Sequence, residues 1–101
     1  MRQITNESVN AFINGSLYKK DNTKVEINEV TKNVALYLHN NMIALLNGNE
    51  LMINHQGWQT KTTKERLNGI LDAYNLPRLS QKKGLWYLGT EEFNGCKTFN
   101  I

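Results

Sequence analysis

The chain has 101 residues, 40% apolar and 21% charged, with 12 Lys or Arg against 9 Asp or Glu. That length and balance describe one folded domain, residues 1–101, with one modest core, and exclude a disordered chain. Cys96 is the lone cysteine, which excludes an internal disulfide and fits a reducing cytoplasm.

The opening stretch MRQITNESVN has no apolar run after Arg2, so no secretory signal is expected. Residues 5–14 read as a short helix. Thr5 is the expected cap, Ile4 and Val9 form a hydrophobic staple around it, and Val9, Phe12 and Ile13 make one apolar face. Gly15 stands where a glycine stops a helix.

From Leu17 to Asn54 the period changes to two. Val25 and Ile27, then Val34, Leu36 and Leu38, then Met42, Ala44 and Leu46, then Leu51 and Ile53 mark successive runs. His39-Asn40-Asn41 and Asn47-Gly48-Asn49 separate them as turns. The expectation is an antiparallel meander of three or four strands. The apolar segment VALYLHNNMIALL is interrupted by His39, Asn40 and Asn41, and falls short of the roughly 20 apolar residues of a membrane span.

Residues 63–75 carry the clearest helical stripe, Leu67, Ile70, Leu71 and Tyr74. Thr62 and Glu65 have the spacing of a capping box, and Asn75 before Pro77 is the expected left-handed stop. Arg78-Leu79 and Leu85–Leu88 read as a hairpin around a Gln81–Gly84 turn, and the tail adds one edge strand through Phe93 and Phe99. The order is helix, meander, helix, hairpin. It predicts an α+β domain: an N-terminal helix, an antiparallel β-meander, one amphipathic helix packed on the sheet and a C-terminal β-hairpin.

Charge is local. Residues 57–87 hold Lys61, Lys64, Arg66, Arg78, Lys82 and Lys83 against Glu65 and Asp72, whereas residues 1–56 are balanced. Lys61, Lys64 and Arg66 lie at the start of a helix, whose N–H groups and dipole favour phosphate. Lys82 and Lys83 lie in a turn that could reach the same anion, and Trp58 and Trp86 could stack on unpaired bases. These seven residues are the candidate nucleic-acid site. The competing reading is a solvated helix face with Trp86 partly in the core.

Other chemistries lack their patterns. His39, His55 and Cys96 are the only soft ligands, without CxxC or HExxH, so no metal is expected. No GxSxG, GxxxxGK or GxGxxG is present, so no nucleophile elbow and no bound nucleotide cofactor is expected. His39 and His55 as an acid–base pair for RNA cleavage lose to their reading as exposed turn residues. The expectation is a protein that is not an enzyme.

The runs NTKVEI, YLHNNMIA, GWQTKTTKERLN and QKKGLWYL resemble a family of small accessory proteins of tailed bacteriophages, over nearly the whole chain. The resemblance implies work in the cytoplasm of an infected bacterium and carries no catalytic residue over. Two expectations follow: binding of RNA or single-stranded DNA, in host counter-defence, or inhibition of a host defence protein by direct binding. A homodimer through an exposed edge strand is a further expectation.

Overall fold

The structure, a computed structural model, describes residues 3–101. Its elements are α1 (Gln3–Asn14), β1 (Tyr18–Lys20), β2 (Thr23–Ile27), β3 (Val34–Leu38), β4 (Asn41–Asn47), β5 (Glu50–Asn54), α2 (Lys61–Ala73), β6 (Leu79–Lys82), β7 (Leu85–Leu88), β8 (Glu91–Glu92) and β9 (Cys96–Asn100). Strands pair antiparallel as β1-β2-β3-β4-β5-β9 in one sheet and β6-β7-β8 in another. This is an α+β domain, as the element order implies.

The alternation read from the sequence sets the register. Val25, Leu36, Ala44 and Ile53 line up across four strands and are fully buried. They form the floor on which Phe12 of α1 and Leu67, Ile70 and Leu71 of α2 pack. Burying one such Leu contributes roughly 1.5–3 kcal/mol. The register slips between Leu36 and Tyr37, so Ile43 is an extra residue on β4. This bulge lets Ile43 and Ala44, adjacent in sequence, both face the core. The opposite face carries Glu26, Tyr37, Leu45 and Met52, all at least partly exposed.

Both helices end in the same hydrogen-bond motif. Gly15 (φ 65°) follows α1, with Ser16 N–H on Ala11 O at 2.8 Å and Gly15 N–H on Phe12 O at 3.4 Å. Asn75 (φ 57°) follows α2, with Leu76 N–H on Leu71 O at 2.9 Å and Asn75 N–H on Asp72 O at 3.1 Å. The left-handed residue turns the chain so that two otherwise orphaned carbonyls are satisfied.

Five expectations are corrected. Thr5 lies inside α1 and is buried, its hydroxyl bonded to Arg66 and Glu65, so it caps nothing and the Ile4–Val9 staple goes with it. The meander has five consecutive strands, and β9 joins β5 as a sixth, a long-range pairing that local periodicity does not carry. Helix α2 starts at Lys61: its cap is Thr60, whose side chain accepts from Thr63 N–H at 3.2 Å, in place of a Thr62–Glu65 box. In the second hairpin β6 runs on through Lys82, leaving the two-residue turn Lys83-Gly84, both at positive φ. Phe93 lies outside the strands and is buried beside Trp86.

Candidate nucleic-acid interface

Between β5 and α2 the chain runs through His55, Gly57 and Trp58, and hydrogen bonds hold this loop at several points. Gly57 N–H donates to His55 Nδ1 at 2.9 Å, Trp58 N–H to His55 O at 2.8 Å, and Gln56 Nε2 to Met42 O at 2.7 Å. The indole of Trp58 therefore projects from a fixed backbone while 53% exposed. Behind it lies a pocket of about 180 Å³ lined by Leu38, His39, Ile43, Trp58, Thr60, Thr62 and Thr63. Aliphatic and aromatic carbon makes one wall, and three threonines, the cap Thr60 with Thr62 and Thr63 of the first turn of α2, make the other.

Lysines flank Thr62 and Thr63 along α2. In the first turn of α2, Lys61 is exposed and Lys64 half-buried. The Lys64 ammonium lies 5.9 Å from the centre of the Trp86 ring, within the range of a cation–π contact. Trp86 pairs with Gln81 across β6 and β7, one step from the exposed Lys82 and Lys83. Lys64 thus lies over the indole, while Lys82 pairs with Leu85 at the next register position and Lys83 follows in the turn. The outer strand of that small sheet, β8, is acidic through the exposed Glu91 and Glu92.

Two candidates do not belong to the exposed face. Arg66 is 2% exposed: it donates to Thr5 Oγ1, to Glu65 Oε1 at 3.2 Å and to Thr23 Oγ1 at 3.4 Å. It ties α1, β2 and α2 together, because a buried guanidinium is tolerated only when paired and hydrogen-bonded. Trp86 is also 2% exposed, edge-on to His55 at 5.4 Å and stacked near Phe93 at 6.4 Å. It is a wall of the core beneath Lys64 and offers no open face to a base.

The sequence reading missed the pocket, since Leu38, His39 and Ile43 come to α2 only through the sheet. It also missed how His39 is held. His39 and Asn40 form the two-residue turn between β3 and β4, at φ 51° and 65°. His39 N–H donates to Asn22 O at 2.8 Å, and Asn22 Nδ2 lies 3.2 Å from His39 Nε2. Thr23 Oγ1 donates to Asn22 Oδ1 at 2.9 Å. That bond orients the amide, so Nδ2 faces the ring as donor and Nε2 accepts. A polar concavity of about 340 Å³, lined by Lys19, Asp21, Asn22, Thr23, Lys24, His39 and Asn40, shares His39 with the pocket.

Among the described residues, no three His, Cys, Asp or Glu side chains converge to hold a metal ion. No helix among them is long and apolar enough to cross a membrane. A family model described as Kyanoviridae Gp96 protein matches residues 1–100. No curated protein and no solved structure matches the chain.

Proposed function

The chain belongs to the Kyanoviridae Gp96 protein family, a family of phage proteins, and on that premise we propose that it is an accessory protein that binds RNA or single-stranded DNA in the infected host cytoplasm. The observation that carries this reading is the fixed, half-exposed indole of Trp58 at the mouth of an apolar pocket, with Lys61 and Lys64 on the adjoining first turn of α2. Stacking platforms flanked by cations are how single strands are held without sequence readout. Lys82 and Lys83, exposed at the β6–β7 hairpin, would add to the basic surface. The role is binding, not catalysis, and its use is counter-defence.

The test is a salt-titrated binding assay with mixed-sequence RNA and DNA. Binding that weakens linearly in log salt supports the reading, because phosphate neutralisation releases counterions. Absence of binding at low salt contradicts it.

One observation favours a second reading, a non-enzymatic inhibitor of a host defence protein. The outer face of the large sheet offers Tyr37, Met42, Leu45 and Met52, apolar and partly exposed, to a protein partner. A protein that binds no nucleic acid at low salt would favour it.

A further inference from the structure

The apolar pocket beside Trp58 and the polar concavity beside Lys19 meet at one side chain, His39. We propose that one unpaired base stacks on Trp58 in the pocket while its adjoining phosphodiester crosses His39 to Lys19 and Lys24. The proposal rests on the nucleic-acid reading. It adds the ligand unit, a single extruded base, and the path of the strand on one side of that base, toward the β1–β2 hairpin.

Size argues for the unit. Pockets that enclose drug-sized ligands are about 300–1,000 Å³. A space of about 180 Å³ admits one small ring system and leaves sugar and phosphate outside. The lining suits a base: an indole to stack on, with Leu38 and Ile43 against its edge. Bases paired within a duplex cannot enter.

Chemistry argues for the path. The neighbouring concavity of about 340 Å³ is polar, with Lys19 and Lys24 in its wall. Lys24 is held in position, 5.0 Å over the Tyr37 ring and 3.8 Å from Glu26. At the ridge between the two spaces stands His39, whose Nε2 accepts from Asn22. The neutral ring then carries its proton on Nδ1, a donor suited to a phosphate oxygen or a base carbonyl. The His39-Asn40 turn is pinned to Asn22 through its backbone as well, so the ridge is preorganised.

The experiment measures affinity at low salt for labelled oligonucleotides of mixed sequence, as single-stranded RNA, single-stranded DNA, duplex DNA and a strand of equal length with abasic sugars. The RNA and DNA arms separate the two sources of an unpaired base. Single strands are expected to bind more tightly than the duplex, and the abasic strand about ten- to a hundredfold more weakly than its base-bearing counterpart. Trp58→Ala should cause the same loss on the base-bearing strand and none on the abasic one, while Trp58→Phe retains most of the affinity. Lys19→Gln with Lys24→Gln should flatten the log affinity–log salt slope by about 0.7 for each phosphate left without its lysine. Equal binding of abasic and base-bearing strands, or an unchanged slope in the double lysine variant, overturns this inference and leaves the broader reading standing. No binding of any strand overturns both.

Discussion

Arg66, buried in the core, fixes the hydrogen-bonding role of His39 at the surface. The guanidinium Nε can only donate, and lies 3.4 Å from Thr23 Oγ1, which therefore accepts. The threonine proton then goes to Asn22 Oδ1 at 2.9 Å, turning the Asn22 amide nitrogen to His39 Nε2 at 3.2 Å. Each link leaves one arrangement open to the next. The neutral imidazole is thus committed to the tautomer with its proton on Nδ1.

That chain predicts a spectroscopic outcome. Imidazole nitrogen shifts from NMR should show neutral His39 protonated on Nδ1 in the native protein. Thr23→Val keeps the shape at this buried site but removes the hydroxyl, and both tautomers should then appear. The same variant should cost about 1–3 kcal/mol, because a buried donor loses an acceptor. Native His39 protonated on Nε2 would contradict the assignment.

Arg66 itself should behave as a structural residue. Arg66→Ala removes the bonds to Thr5, Thr23 and Glu65 and leaves a void among them. Breaking a buried pair in this way costs about 3–5 kcal/mol. Urea denaturation of the variant measures the loss. A cost below about 1 kcal/mol would return Arg66 to the surface charges.

The start of α2 gives a contrast between neighbouring threonines. Thr60→Ala removes the cap that accepts from Thr63 N–H and should destabilise by about 0.5–2 kcal/mol. Thr62, inside the first turn, should be less sensitive to the same change. Thermal unfolding of both variants decides the order, and a larger loss at Thr62 would contradict the cap.

These residues show what the sequence made legible. Periodicity placed β2 to β5 and both helix faces, because burial on one side of an element repeats along the chain. Gly15 and Asn75 marked the helix ends because few residues adopt their left-handed conformation readily. Arg66 was placed on the outside because charge predicts exposure, yet its partners Thr5 and Thr23 are 61 and 43 residues away. Trp58 and Lys61 could be named in advance, but not the pocket behind them. That space depends on the β3–β4 turn reaching the first turn of α2, a long-range approach without a local signal.

Acid should weaken the packing of α1 against β1. Glu7 has its carboxyl held below its ordinary value by hydrogen bonds from Gln3 and then from Tyr18, whose hydroxyl donates at 2.9 Å. A carboxyl depressed in the folded state contributes stability that is complete above its unfolded value and is lost as pH falls through its folded value. Glu7→Gln should therefore flatten the acid limb of the stability profile below about pH 4. An unchanged acid limb would mean the two bonds do not persist in solution.

The central claim, that Trp58 and the lysines beside it form a single-strand binding face, is tested most directly by the salt dependence of affinity for mixed-sequence single-stranded RNA and DNA. If Lys61, Lys64, Lys82 and Lys83 all engage phosphates, together they contribute about −3 to the slope of log affinity against log salt. Neutralising Lys82 and Lys83 together should reduce that slope by about 1.4 without loss of folding. No measurable affinity at low salt, where charge attraction is strongest, would contradict the claim.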